Sequence, residues 1–190
     1  MKITAVTQRL AGLGGTKWEI HLKAKELINQ GRDIVSLTIG EPDVPTPDAL
    51  MKIAIQSMLR GRTGYSDGRG EKGLRLALAE RASRRTGQNI SADQVMCFPG
   101  TQTALYAVLM GVAETGDEVL VGDPMYATYE GVVRASGANM VPVPLHAENG
   151  FQMTASDVAK AITPRTTALL LTTPHNPTGA ILSESNIREI

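Results

Sequence analysis

In 190 residues the chain has one cysteine, one tryptophan and two phenylalanines, and aromatic residues make up only 4% of it. The lone cysteine, Cys97, rules out an internal disulfide framework and suits a reducing compartment. An excess of charge of one sign is also lacking. Lys plus Arg number 19 and Asp plus Glu 19, so no net field draws the chain to nucleic acid or to an anionic membrane. No apolar run approaches the ~20 residues of a membrane span, and Gln8 and Arg9 interrupt the place where the apolar core of a signal peptide would lie. Repeats, low-complexity tracts, metal-ligand spacings and a Gly-x-Ser-x-Gly elbow are missing too. The exclusions leave a soluble, cytoplasmic, globular protein as the expectation. A chain of this size hides roughly 70% of its unfolded surface, enough for a real core.

What is present is alternation. A helix is expected over residues 17–29, followed by an extended piece, "IVSLTIG", and a proline-rich crossing, "EPDVPTP". Thr46 is expected to cap a helix that starts at Pro47, carries Leu50, Ile53, Ala54 and Met58 at helical spacing, and ends at Gly61. A second helix should bury Leu74, Ala77, Leu78 and Ala82 and stop at Gly87. From there "QVMCF", "EVLVG" and "TALLL" read as strands. "NMVPVPL" reads as a strand at a sheet edge, because Pro142 and Pro144 cannot donate to a ladder. Helices fall between them: "GTQTALYAVLMGVA" with Leu105, Val108, Leu109 and Val112 on one face, then "ATYEGVVRAS" and "ASDVAKAI". Strand and helix in turn indicate an α/β layer with a largely parallel sheet. Ser183 can cap a last helix, with Leu182 and Ile187 placed as a staple, but only two turns follow before Ile190. The expectation is a piece of a longer protein.

Ligands of such sheets bind beyond the carboxyl ends of the strands, and three turns fall there. In "FPGTQT", Gly100 opens a helix whose free N–H groups, with the Thr101 and Thr103 hydroxyls, suit a phosphate; an ordinary glycine turn with a capping threonine accounts for the same residues. In "VGDPMYATYEG", Tyr126 could lay its ring against a flat ligand or simply pack on the core with its hydroxyl in water. In "TTPHNPTG", the Asn176 carboxamide could reach a ligand oxygen or close an Asx turn on its own backbone. His175 reads as a supporting imidazole. Neither a Walker loop nor a Gly-x-Gly-x-x-Gly after a strand is present, and Gly68 and Gly70 imitate the latter without a preceding strand.

In this order, "LTIGEPDVPTP", "GYSDGRGEKGLRLALAER", "GDEVLVGDPMYATY" and "PHNPTG" resemble the class I/II aminotransferases, fold-type-I enzymes that use pyridoxal 5′-phosphate. The resemblance runs from about residue 37 to the end. It implies a three-layer α/β fold. Residues 1–45 would form an N-terminal arm and small-domain segment, and residues 46–190 the first, incomplete part of the large cofactor-binding domain. It also implies roles. Gly40 would lie near the substrate carboxylate, and Tyr65 would reach the cofactor phosphate of the neighbouring subunit, so that a homodimer shares its sites. Gly100, Thr101 and Gln102 would hold the phosphate. Tyr126 would stack on the pyridine, and Asn176 would hydrogen-bond its 3′ oxygen, both also facing substrate. Asp123–Pro124 and Asn176–Pro177 are expected to be cis. Two prolines around Asn176 would keep the amide aimed.

The family's Schiff-base lysine has no counterpart. Lysines stand at 2, 17, 23, 25, 52, 72 and 160, none of them beyond the Asn-Pro-Thr-Gly turn. The aspartate facing the pyridine nitrogen and the arginine clamping the substrate carboxylate are likewise expected later in the family's chain. The expected function is transfer of an amino group between an amino acid and a 2-oxo acid, with these 190 residues inactive alone. A lyase, racemase or cyclase with the same cofactor, or a non-catalytic aminotransferase-like binding domain, would use the same turns.

Overall fold

The computed structural model describes residues 3–13 and 15–190, with the backbone alone for Thr16 and Lys17. Along it run α1 (Ala5–Leu10), α2 (Gly15–Asn29), α3 (Asp48–Leu59), α4 (Lys72–Thr86), α5 (Thr101–Val112), β1 (Glu118–Asp123), α6 (Tyr129–Ser136), β2 (Asn139–Pro144), α7 (Ala155–Ala161), β3 (Thr166–Leu170) and α8 (Glu184–Glu189). The residues divide into two compact units. One joins the segment up to Arg32 with Leu105–Ile190, and the other is Asp33–Ala104.

The first unit is built on a parallel sheet in the order β2-β1-β3. β1 lies between two strands, and its residues 118–122 are all buried. Its side chains alternate between two cores, as a pleat requires. Val119 and Val121 pack with Leu109 and Ala113 at the end of α5, with Tyr129 and Val133 of α6, and with Ala138. Leu120 faces the other way, onto Val143, Leu145, Met153 and Val158 of α7. Helices therefore cover both faces of the sheet, and each fully buried aliphatic side chain contributes about 1.5–3 kcal/mol. The prolines keep β2 at an edge of the sheet, as expected. Within α5 only Leu109 is buried, with Leu105 partly buried against the same core; Val108 and Val112 are exposed, so the apolar stripe is narrower than the spacing suggested.

The amino end of β1 carries the buried Glu118. Its carboxylate accepts from Thr163 Oγ1 at 2.6 Å and from Arg165 Nε at 2.9 Å, with a further contact from Arg165 Nη2. The Thr163 hydroxyl first, and then Arg165, hold its pKa below the ordinary glutamate value against the cost of burial. α1 is tied to the unit by Arg9, which donates to the Arg134 and Ala135 carbonyls at the end of α6. Ser183 caps α8, accepting from Asn186 N at 3.1 Å.

The second unit departs more from expectation. α3 starts one residue late: Pro47 is its cap, its carbonyl accepts from Leu50 N and Met51 N, and the Thr46 side chain caps nothing. Gly61 and Gly87 end α3 and α4 with left-handed backbone, as anticipated. The face of α4, however, is not the one that apolar spacing indicates. Arg75 and Ala79 are buried, while Leu74 and Leu78 are exposed. "QVMCF" is not a strand. Cys97 N makes a single backbone bond, to Arg69 O at 2.9 Å, and no ladder follows.

Candidate functional site

β1 and β3 are parallel neighbours, with Val121 opposite Leu170, so the turns that follow them leave the sheet at the same end, the carboxyl end of its strands. Tyr126 sits in the first turn and Asn176 in the second. A hydrogen bond ties the two segments together, between Tyr129 Oη and Thr172 Oγ1 at 2.9 Å. Tyr129 is buried, and the ring of Tyr126 stands edge-to-face on it, with centroids 5.5 Å apart at 74°. Tyr126 is thus braced from below, yet 37% of it remains accessible, which leaves area for a flat partner.

The second turn is closed by the residues around Asn176. His175 N donates to Ala180 O at 2.7 Å, and Gly179 N to His175 O at 2.7 Å. The His175 ring meets Thr178 Oγ1 at 2.8 Å, Thr178 Oγ1 also accepts from Ala180 N, and Thr173 Oγ1 accepts from Leu182 N. Gly179 has φ +76°, the left-handed conformation such a closure needs. Burial holds the His175 imidazole below its ordinary pKa, which favours the neutral ring. Every one of these bonds bypasses the Asn176 side chain, which is exposed. Asn176 therefore does not close an Asx turn. His175 and Thr178 form the scaffold, and the carboxamide keeps both donors and its acceptor. Asp123–Pro124 and Asn176–Pro177 are cis as expected, and Thr173–Pro174 is cis as well. Behind the turn, a cavity of about 20 Å³ is lined by Tyr129, Leu145, Met153, Thr172 and His175; it has room for a water and nothing larger.

In the second unit, Gly100 has φ +89° and opens α5. The first described backbone bond of that helix start is Ala104 N to Gly100 O, so the Thr101, Gln102 and Thr103 N–H groups precede the intrahelical ladder. Thr101 is exposed and Gln102 half-buried. The Thr103 hydroxyl donates to Pro99 O at 3.0 Å and is spent there. Tyr65 is fully exposed in the loop before Asp67, and Gly40 lies in open backbone with nothing close to where a side chain would start.

Sequence reasoning missed Thr172, whose partnership with Tyr129 depends on the β1–β3 register. It also missed Arg75, a charged residue that lies off the apolar stripe expected to be the buried face of its helix. No local pattern announces either.

Among the described residues no helix is long and apolar enough to cross a membrane. The profile "Aminotransferase class I and II" matches residues 32–190. The arginine–pyruvate transaminase AruH of Pseudomonas aeruginosa is 49% identical over 182 residues, which is 96% of this chain and 46% of that protein. The aspartate/prephenate aminotransferase of Thermus thermophilus is 38% identical over 85% of this chain and 42% of its own. Among solved structures, a mutant aspartate aminotransferase from T. thermophilus superposes with a TM-score of 0.92 at 34% identity, over all of this chain and 49% of that one. An alanine aminotransferase from Pyrococcus furiosus gives 0.91 at 30% identity, over all of this chain and 48% of its own. The chain spans about half the length of the curated relatives it matches. With three helix-covered parallel strands, two turns converging at the carboxyl end of the sheet and a profile match over most of its length, this chain belongs to the class I and II aminotransferases.

Proposed function

We propose that the complete protein is a pyridoxal 5′-phosphate-dependent aminotransferase, moving an amino group between an amino acid and a 2-oxo acid, and that this chain carries the first part of its cofactor-binding machinery. When bound, the cofactor supplies an electron sink that stabilises negative charge at the α-carbon of an amino acid. The residues of this chain bind and orient. Asn176 donates its amide to the cofactor's ring oxygen, and Tyr126 offers a braced ring face to the pyridine. The N–H groups of the Gly100–Gln102 helix start receive the phosphate. Tyr65 extends its hydroxyl to the phosphate held by a partner subunit in a homodimer, and Gly40 lets backbone approach the substrate carboxylate. On this reading residues 1–45 belong to the N-terminal arm and small domain, and residues 46–190 to the large domain. The lysine that moves the proton, the aspartate and the arginine come from the half of the relatives' length that this chain does not span, so the 190 residues alone do not turn over. The setting is cytoplasmic. The relative named for arginine and pyruvate makes that pair the first to assay.

The observation that carries this reading is the Asn176 amide, left unused by a turn that His175 and Thr178 hold in place. The full-length protein with added cofactor should show a near-visible absorbance band that titrates with pH. An amide hydrogen bond to an anionic oxygen favours the anion, so Asn176→Ala should raise the midpoint of that titration by about one pH unit while cofactor still binds. No band in the wild type would end the cofactor reading; a band with an unmoved midpoint would remove Asn176 from its role.

A further inference from the structure

Arg75 is 4% exposed, and it and Ala79 are the only buried residues of Asp33–Ala104. Its guanidinium is divided between two stretches of backbone. Nε donates to Gly70 O at 3.0 Å, and Nη1 donates to Ala92 O at 3.0 Å. Two carboxylates stand further off, Asp67 at 3.7 Å from Nη2 and Asp93 at 3.8 Å from Nη1. The same two stretches meet twice more. Cys97 N donates to Arg69 O at 2.9 Å, and Arg69 Nη1 reaches Asp93 Oδ1 at 3.1 Å. They also approach too closely for a side chain. A Cβ at Gly70 would lie 2.7 Å from Cys97 Cβ, and Gly70 has φ +96° besides. The first stretch carries Tyr65, five residues before Gly70. The second runs on to Gly100, three residues after Cys97.

We propose that Arg75 is a positioning residue for the coenzyme phosphate: it clamps the Tyr65 loop to the segment that leads into Gly100–Gln102, and so fixes two phosphate-binding elements relative to each other. This rests on the reading given under Proposed function. A planar fork is needed, because one group must serve two carbonyls that lie 22 residues apart in sequence; a lysine ammonium keeps the charge but lacks the fixed fork. With Tyr65 serving the neighbouring subunit and Gly100–Gln102 its own, the clamp joins the phosphate contacts of one site to those of the other.

The test is a cofactor titration of the full-length apoprotein, followed by absorbance, for wild type, Arg75→Lys, Tyr65→Phe and the double variant. Arg75→Lys should weaken cofactor binding about tenfold, the scale on which residues that orient a ligating group act. At saturating cofactor it should leave kcat close to wild type, so that the loss is one of affinity. The double variant should bind no more weakly than the weaker single variant, since both changes act on the same contact. Gly70→Ala, which disturbs the same junction with Arg75 intact, should weaken binding in the same direction and guards against misfolding of Arg75→Lys. Unchanged affinity in both Arg75→Lys and Gly70→Ala, or losses that multiply in the double variant, would overturn the clamp while wild-type binding left the cofactor reading standing. Absence of wild-type binding would end both.

Discussion

The two units hold their shape by opposite means. In the unit with the sheet, a row of aliphatic side chains on β1 is buried between two helical layers, and the only buried charge among the described residues, Glu118, sits at the strand's amino end. In Asp33–Ala104 the buried residues are an arginine and an alanine, and apolar side chains such as Val35, Leu37 and Leu59 are more than 80% exposed. The first unit is organised by non-directional burial, proportional to area. The second is organised around a few directional bonds from one guanidinium, which depend on angle and distance. The lesson concerns tolerance. A core of the first kind absorbs volume-conserving exchange, whereas a polar junction of the second kind depends on the identity of single residues.

That contrast can be broken by substitution, and the largest effect is expected in the sheet. Leu120→Ala removes a fully buried side chain and should cost about 2–5 kcal/mol. Urea unfolding followed by circular dichroism would read this, with hydrogen exchange losing protection in β1 and β2 but not around Arg69 and Cys97. Equal loosening in both regions would dissolve the distinction. Next comes Gly70→Ala, which strains a left-handed residue and pushes it onto Cys97; about 1–3 kcal/mol is expected, with faster exchange at the Cys97 amide and unchanged strands. The smallest effect is one of pH. The Glu118 pKa is lower folded than unfolded, so its contribution is complete above the ordinary glutamate value of about 4.3 and is lost as pH falls through the lower folded value. Glu118→Gln should flatten the acid limb of the thermal-midpoint profile relative to wild type. Superimposable profiles would remove Glu118 from that role.

Much of the sheet unit was legible because its signals are local. Apolar runs marked β1 and β3, Pro142 and Pro144 marked an edge, and Ser183 marked a helix start. The turn at Asn176 was also legible as a place, though not in its workings. That the asparagine is spared because His175 and Thr178 close the loop depends on side-chain geometry that spacing does not encode. The second unit was misread where its structure depends on partners distant in sequence. "QVMCF" has the composition of a strand, but Cys97 meets Arg69 in a single bond and has no ladder to join. Leu74 and Leu78 have the spacing of a buried face, yet α4 turns Arg75 inward because the Gly70 and Ala92 carbonyls are waiting for it. Gly70, read as half of a failed nucleotide motif, is a glycine because a cysteine sulfur and β-carbon occupy the space beside it.

The ladder between β1 and β3 is irregular at its start: Glu118 faces Thr166, but Val119 already faces Ala168, so Thr167 is skipped. Without that extra residue in the count, β3 would slide by one pleat and every side chain after it would change sides. The Thr163–Arg165 latch on Glu118 fastens the strand just ahead of the skipped position. The skipped residue at the entrance of the sheet therefore sets the phase with which the chain emerges at the far rim, where Thr172 meets Tyr129.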